Sequence, residues 1–176
     1  MDVKGAYLNG ILQEKVYMRQ PTGFDDGTGR VCQLIKTLYG LKQSGREWNM
    51  IWDHKLKNNG FTNLKTDPCV YFRRANDVLN IITVWVDDLL VIAKTEESMK
   101  DLKQELGTLF EITDLGNPNK IVGIEITTTK NSISICQKQY IMSILQSESM
   151  QDANPVSTPL DPNMKLEPIP EGSVGD

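Results

Sequence analysis

The stretch IITVWVDDLLVIA, residues 81–93, decides the fold. Two apolar runs, Leu79–Val86 and Leu89–Ala93, flank the acidic pair Asp87 and Asp88. β-branched residues favour strands, and acidic residues between two such runs are typical of a turn. The pattern therefore predicts a central β-hairpin that carries two carboxylates at its tip.

The acidic pair has two interpretations. Asp is an ordinary turn residue, so the pair can be a plain hairpin turn. Carboxylates between two runs that are otherwise buried are costly unless they are paired or bound to metal, so the pair can also be a metal site. Asp2 lies at the end of another apolar, strand-like segment and is the candidate third carboxylate.

Helical and strand-like patterns surround this hairpin. Apolar side chains recur at helical spacing in the stretches 48–56, 99–110 and 140–145, and Thr95 or Ser98 is placed to cap the second stretch. With the further strand-like runs along the chain, the order predicts an α+β fold with a mostly antiparallel sheet and packed helices.

Four further segments complete the prediction. Asp2–Leu8 is predicted to be the end of a strand that leads into a turn at Asn9–Gly10. Ile121–Thr127 and Ser132–Cys136 are predicted to form a second hairpin. Residues 154–176 are polar and rich in proline, which is typical of a tail or linker.

Composition and charge limit the classes of function. Hydrophobic residues make up 39% of the chain, and the net charge is −4. Residues 1–74 carry 12 basic and 7 acidic side chains, so this half is a candidate surface for a polyanion, although solvated surface charge explains the asymmetry equally well. No apolar stretch is long enough to span a membrane, and the start does not resemble a signal peptide, so we expect an intracellular protein without membrane association.

A series of short motifs resembles the reverse transcriptase of copia-type LTR retrotransposons. In chain order the motifs are DVKGAYLNG (2–10), VYMRQP (16–21), LYGLKQ (38–43), DPCVY (67–71), VDD (86–88), GIEI (123–126) and TPL (158–160). The resemblance covers nearly the whole chain. It implies a right-hand polymerase, with the palm, partial fingers and the beginning of the thumb in residues 1–153 and the proline-rich tail in residues 154–176.

The resemblance also implies a reaction and a set of metal ligands. The reaction is RNA-directed DNA synthesis, a two-metal nucleotidyl transfer to a primer 3′-hydroxyl. Asp2 and Asp87 would be the principal ligands of two Mg²⁺ ions, with Asp88 supporting them and Mn²⁺ as a possible substitute. Hard cations of this kind prefer oxygen ligands.

Further residues receive roles by the same resemblance. Tyr7 would be the steric gate that selects deoxynucleotides, and Tyr39 and Gly40 would contact the incoming nucleotide. Contacts to nucleic acid would come from Lys42 and Arg46 and from the primer-grip segment Val122, Gly123 and Ile124. Two positions depart from the family pattern: Trp85 stands where Tyr is usual, and Ser44-Gly45 stands where Ala-Pro is usual.

The implied partners are an RNA or DNA template with its primer, deoxynucleoside triphosphates, and the integrase and RNase H of the Pol polyprotein. In an active element the location would be a cytoplasmic virus-like particle. We expect this chain alone to be inactive, because the upstream fingers are missing and Asp2 would lie on a frayed end. The alternatives are a non-catalytic relic with residual nucleic-acid binding and an unrelated metal-dependent phosphotransferase.

Overall fold

A computed structural model describes residues 1–75, 78–161 and 163–165. The described residues form eleven strands, three α-helices and one short 3₁₀ helix at Ala6–Asn9. The strands are β1 (Asp2–Val3), β2 (Ile11–Arg19), β3 (Val31–Lys36), β4 (Thr62–Asn63), β5 (Val70–Ala75), β6 (Val78–Trp85), β7 (Asp88–Ala93), β8 (Ile112–Thr113), β9 (Lys120–Ile121), β10 (Ile124–Thr128) and β11 (Ile133–Cys136). The helices are α1 (Ser44–Asn58), α2 (Glu96–Leu109) and α3 (Lys138–Ser147).

A six-stranded sheet forms the centre of the fold. Its strand order is β4-β5-β6-β7-β1-β8, and every neighbouring pair is antiparallel. The predicted central hairpin is β6 and β7, which are closed by the pair Trp85 and Asp88. The α+β class with mostly antiparallel strands is therefore confirmed. One detail differs, because Asp88 belongs to strand β7 and the two-residue turn is Val86–Asp87.

The hydrophobic core lies between this sheet and the helices α1 and α2. Trp52 and Leu56 of α1, Leu106 of α2 and Ile82 of β6 are fully buried members of one cluster. Alternate residues of a strand face the same side, which explains why Val84 joins Ile82 in the cluster. The first two predicted helical stripes thus lie on the faces that α1 and α2 bury, whereas the third stripe forms helix α3, which has no buried residue.

Helix α2 begins with a capping box. The Thr95 side chain accepts a hydrogen bond from the Ser98 backbone N–H, and the Ser98 hydroxyl accepts one from the Thr95 N–H. These bonds satisfy donors that a helix N-terminus leaves unpaired. Both residues that the sequence offered as caps therefore act together.

The start of the chain differs from the prediction. The strand that contains Asp2 ends at Val3, and the chain then enters the 3₁₀ helix. Strand β1 is nevertheless an interior strand of the six-stranded sheet, paired with β7 on one side and β8 on the other. The expectation of a frayed end is wrong, because hydrogen bonds to two neighbours hold this short strand.

Two smaller sheets lie outside the central one. Strands β2 and β3 form a two-stranded ribbon, and strands β9, β10 and β11 form a three-stranded sheet. The predicted run Ile121–Thr127 is interrupted, because Val122 and Gly123 form a turn between β9 and β10. The hairpin of β10 and β11 is as predicted.

The described residues divide into two compact units, one from Met1 to Cys136 and one that begins at Gln137. Helix α3 and the proline-rich segment belong to the second unit. Of the predicted tail 154–176, residues 162 and 166–176 lie outside the described residues. Among the residues that the structure describes, no helix combines the length and apolar character needed to cross a membrane.

Candidate active site

Two of the three predicted carboxylates face each other across neighbouring strands. Asp2 of β1 and Asp88 of β7 are register partners. The Met1 ammonium donates to the Leu89 carbonyl at 3.0 Å, and the Leu89 N–H donates to the Met1 carbonyl at 2.9 Å. Asp2 and Asp88 therefore form the adjacent non-hydrogen-bonded pair, whose side chains share one face and approach most closely.

The third carboxylate lies in the turn that precedes Asp88. Val86, the first residue of this turn, has φ 55°, and Asp87 is not among the residues with positive φ. This combination has the pattern of a type II′ turn, which suits the twist of a tight hairpin but normally has glycine at the first position. A β-branched residue in the left-handed region costs about 1–3 kcal/mol, so other contacts must hold the turn.

Three hydrogen bonds from outside the hairpin hold this turn. The Val3 N–H donates to the Asp87 carbonyl at 2.8 Å. The Trp48 indole N–H of α1 donates to the Val86 carbonyl at 2.9 Å. The Tyr39 hydroxyl donates to the Asp87 carboxylate at 2.7 Å.

Tyr7 and Tyr39 form an aromatic pair beside the turn. Their ring centroids are 4.8 Å apart. Tyr7 belongs to the 3₁₀ helix, and its carbonyl accepts hydrogen bonds from the Thr37 hydroxyl and from the Gly10 N–H. The pKa of the Tyr39 phenol is raised above its ordinary value. The main cause is partial burial of the side chain, and the second cause is its hydrogen bond to Asp87. The phenol therefore stays protonated and is the hydrogen-bond donor to the Asp87 carboxylate.

The remaining predicted contacts lie around this pair. Gly40 has φ 96°, so its backbone conformation favours glycine. An added Cβ would meet open space there, so within this chain no close backbone approach requires the glycine. Lys42 is exposed, and the Arg46 guanidinium donates to the buried Glu47 carboxylate at 2.9 Å.

The predicted primer-grip residues lie beside the β6–β7 hairpin. Val122 and Gly123 both have positive φ and form the turn before β10, and Ile124 begins that strand. Val122 and Ile124 line a cleft of about 210 Å³ together with Trp85 of β6. The structure thus brings this segment next to the hairpin that carries Asp87 and Asp88.

The departures from the family pattern are accommodated locally. Ser44 is fully buried, and its hydroxyl donates to the Leu38 carbonyl at 2.5 Å. Gly45 lies in the first turn of α1, where a helix leaves its N–H groups without intrahelical partners. Trp85 is 60% exposed, so its replacement of Tyr does not disturb the core.

Trp48 is a residue of the candidate site that the sequence analysis did not identify as a site residue. Its place in the apolar stripe of α1 predicts a core residue, and it is 3% exposed. The same stripe gives no sign that the indole N–H reaches the Val86–Asp87 turn. The only available signal is chemical, since a buried Trp usually needs a partner for its N–H.

The donor set fits a divalent cation only in part. Within residues 1–75, 78–161 and 163–165, no group of three or more His, Cys, Asp or Glu side chains is arranged to hold a metal ion. Asp2 and Asp88 nevertheless lie opposite each other on one face, and carboxylate oxygens are the ligands that Mg²⁺ prefers. Asp87 is next to them in the chain and is hydrogen-bonded to Tyr39.

Comparisons with known proteins agree on one family. Residues 1–162 match the family model described as reverse transcriptase (RNA-dependent DNA polymerase). The chain is 39% identical over 171 residues to the retrovirus-related Pol polyprotein from transposon TNT 1-94 of Nicotiana tabacum, with 94% of this chain and 13% of that protein covered. It is 33% identical to the Pol polyprotein from transposon RE1 of Arabidopsis thaliana, over 94% of this chain and 12% of that protein.

A shorter relative covers the chain as well. The putative transposon Ty5-1 protein of Saccharomyces cerevisiae is 34% identical over 91% of this chain and 53% of its own length. The chain therefore spans about an eighth of the two Pol polyproteins and about half of the Ty5-1 protein. No solved structure gives a significant match.

Proposed function

The chain belongs to the reverse transcriptase (RNA-dependent DNA polymerase) family, and from this premise we propose that it carries the catalytic centre of a copia-type retrotransposon polymerase. The substrates would be an RNA or DNA template with its primer and deoxynucleoside triphosphates. One observation carries the proposal: Asp2 is in register with Asp88 beside the Val86–Asp87 turn. The strand pairing thereby brings Asp2 and Asp88 from distant parts of the sequence onto one face, and Asp87 is next to Asp88 in the chain.

The three carboxylates would hold the metal ions. Reverse transcriptases use divalent metal ions, and we assign Asp2, Asp87 and Asp88 to two Mg²⁺ ions, with Mn²⁺ as a substitute. When bound, such ions activate the primer 3′-hydroxyl and stabilise the charge that develops on the transferred phosphoryl group. The residues of this chain fix the positions of the carboxylates, through the β1–β7 pairing and the bonds to the turn.

The aromatic pair would form the nucleotide side of the centre. Tyr7 and Tyr39 form a tilted aromatic pair beside Asp87, and we infer that an incoming deoxynucleotide would meet the Tyr7 ring at its sugar. A bulky ring at that position excludes a ribose 2′-hydroxyl by steric collision. Gly40 follows Tyr39 in a conformation that leaves open space above its Cα.

Contacts to the template and primer would come from two sides. Lys42 is exposed, and Arg46 projects a largely exposed guanidinium from the first turn of α1. Cations of this kind bind phosphates with a strong dependence on salt. Val122, Gly123 and Ile124 would hold the primer end by backbone contact, and Val122 and Ile124 share a cleft with Trp85.

The domain assignment follows from the same family. We assign the palm, part of the fingers and the beginning of the thumb to residues 1–153, and a linker to residues 154–176. The chain spans 13% of the TNT 1-94 Pol polyprotein, so we expect integrase and RNase H portions as neighbours in a longer protein. Assembly in a cytoplasmic virus-like particle would follow for an active element.

The test is primer extension on an RNA template with Mg²⁺. We expect the 176-residue chain alone to be inactive and a version extended with the upstream residues of its own reading frame to extend the primer. In the extended protein, Asp87→Asn is expected to lower the rate at least about 100-fold, because the charge that holds the cation is removed. The matched control is Asp101→Asn on the exposed face of α2, which should leave the rate unchanged. Undiminished synthesis by Asp87→Asn would refute the assignment.

A second candidate function is nucleic-acid binding without catalysis. The observation that favours it is the basic half of the chain, with 12 basic and 7 acidic residues among residues 1–74. Binding to a template–primer duplex should then weaken steeply between about 50 and 200 mM salt, with no extension under any condition. Binding that ignores salt would count against this candidate.

A further inference from the structure

The carbonyl groups of the catalytic turn lie beyond the ladder of their own hairpin. The β6–β7 ladder ends at the pair Trp85 and Asp88. In a two-residue hairpin the backbone groups of the two loop residues take no part in the ladder. The carbonyls of Val86 and Asp87 can therefore accept hydrogen bonds from other elements.

Each carbonyl receives one donor. Strand β1 supplies the Val3 N–H for the Asp87 carbonyl, at 2.8 Å. Helix α1 supplies the Trp48 indole N–H for the Val86 carbonyl, at 2.9 Å. The second bond is made by a side chain, so a single substitution can remove it without changing the backbone.

The Trp48 indole is itself fixed in the core. Its ring lies 5.2 Å from the Phe110 ring and 5.7 Å from the Trp52 ring, measured between centroids. Burial of this kind leaves the side chain little rotamer freedom. The indole N–H is therefore held at a fixed position beside Val86. Val86 is the turn residue with a positive φ, so its conformation depends most on stabilising contacts.

Trp52 provides an internal comparison. It lies one turn further along α1, is fully buried and stacks on the same Phe110 ring at 4.8 Å. Among the described residues its indole N–H has no hydrogen-bond partner. The two tryptophans thus lie on the same helix, belong to the same cluster and are both buried. They differ in whether the indole N–H donates a hydrogen bond.

We propose that Trp48 is a positioning residue for the catalytic turn, because its indole N–H holds the Val86 carbonyl and thereby fixes Asp87. The inference rests on the proposed function for the role of Asp87, while the positioning of the turn is a separate statement about structure. It predicts that removing the N–H changes the turn more than an equal loss of volume elsewhere in the cluster.

The experiment compares Trp48→Phe with Trp52→Phe in the full chain labelled with ¹⁵N. In Trp48→Phe the backbone amide resonances of Val86, Asp87 and Asp88 should shift or broaden. In Trp52→Phe, which loses the same atoms from the same helix, they should stay in place. Equal changes in the two variants would overturn the proposal, whatever the metal data show.

Hydrogen exchange of the wild-type chain tests the same bond without a substitution that could unfold the protein. The Trp48 indole N–H should exchange with deuterated water far more slowly than that of the exposed Trp85. Exchange of the Trp48 N–H as fast as that of Trp85 would show that the bond to Val86 does not persist, and would overturn the proposal.

Binding of Mn²⁺, measured by electron paramagnetic resonance, connects the turn to the site. Trp48→Phe should weaken Mn²⁺ binding about five-fold, the value of one ordinary hydrogen bond, and Trp52→Phe should leave it unchanged. Asp87→Asn serves as the reference for the proposed function. If Asp87→Asn does not weaken Mn²⁺ binding, the metal assignment fails, and the amide resonances alone then decide the role of Trp48.

Discussion

The six-stranded sheet and the β2–β3 ribbon are stabilised in different ways. The sheet and its two helices bury Trp52, Leu56, Ile82 and Leu106 in one cluster. The ribbon has no buried residue along either strand, and Ile35 at its centre is 77% exposed. Burial therefore holds the first region, and backbone pairing with local polar contacts holds the second.

The candidate site lies where these two regions join. Asp2, Asp87 and Asp88 belong to the sheet or its turn. Tyr7 lies just before the ribbon begins, and Tyr39 lies just after it ends. The difference points to a division of labour, in which the buried sheet positions the candidate carboxylates and the less buried ribbon connects the two tyrosines.

The largest expected effect is a difference in the free energy of unfolding between a variant of the buried cluster and a variant of the ribbon. Leu106→Ala removes a fully buried side chain from the cluster and should lower the free energy of unfolding by about 2–5 kcal/mol. Ile35→Ala removes an exposed side chain from the ribbon and should change it by less than about 0.5 kcal/mol. Urea denaturation measures both. Equal losses would show that the ribbon has a core of its own.

The next effect concerns the base of the ribbon, where the two regions touch. A Cβ added at Gly10 would collide with the Thr37 hydroxyl oxygen and would lie 3.1 Å from the Glu47 Cβ. Gly10→Ala should therefore destabilise the chain by about 1–3 kcal/mol through overpacking. The control is Gly107→Ala in α2, where the added Cβ meets open space, and a gain of up to about 1 kcal/mol is expected. Thermal unfolding that ranks them the other way would contradict the tight packing at the base.

A third comparison uses one ion pair from each region. Arg73 of β5 and Glu105 of α2 form a bidentate ion pair, with guanidinium nitrogen to carboxylate oxygen distances of 2.7 and 2.6 Å. Each side chain is about a quarter exposed. Glu105→Gln should cost about 1–2 kcal/mol, because the Arg73 charge then loses its partner in a partly buried place. Asp26→Asn at the ribbon end breaks the more exposed pair with Arg30 and should have a smaller effect on global unfolding. A larger loss for Asp26→Asn would reverse the comparison.

The smallest effect is a local response to pH at the end of the ribbon. Hydrogen bonds from the Thr28 side chain, then from Gln20 and Arg30, hold the pKa of Asp26 below its ordinary value of 3.8. The carboxylate therefore stabilises this loop at any pH above 3.8, and the contribution is lost as the pH falls through the lower folded value. Amide exchange at Thr28 should accelerate only in strongly acidic solution. Acceleration near neutral pH would refute this account.

The sequence predicted the central hairpin, the helices α1 and α2 and the cap of α2, because periodicity and capping are local signals. It did not predict that β1 lies inside the sheet, since pairing with β7 and β8 is a long-range contact of only two residues. Its motifs named Asp2, Asp87 and Tyr39 as site residues without showing their mutual contacts. The positive φ of Val86 was also beyond prediction, because valine ordinarily avoids that conformation.

Because the Tyr39 hydroxyl is hydrogen-bonded to the Asp87 carboxylate, a cation must compete with Tyr39 for this carboxylate. One carboxylate oxygen of Asp87 already accepts the hydrogen bond from the Tyr39 hydroxyl, so a cation that uses the same lone pair of this oxygen must displace that bond. The affinity for a cation is then a difference between two interactions rather than the strength of one. Tyr39→Phe, which keeps the ring and removes the competitor, should tighten Mn²⁺ binding at the same oxygen even though it deletes a contact.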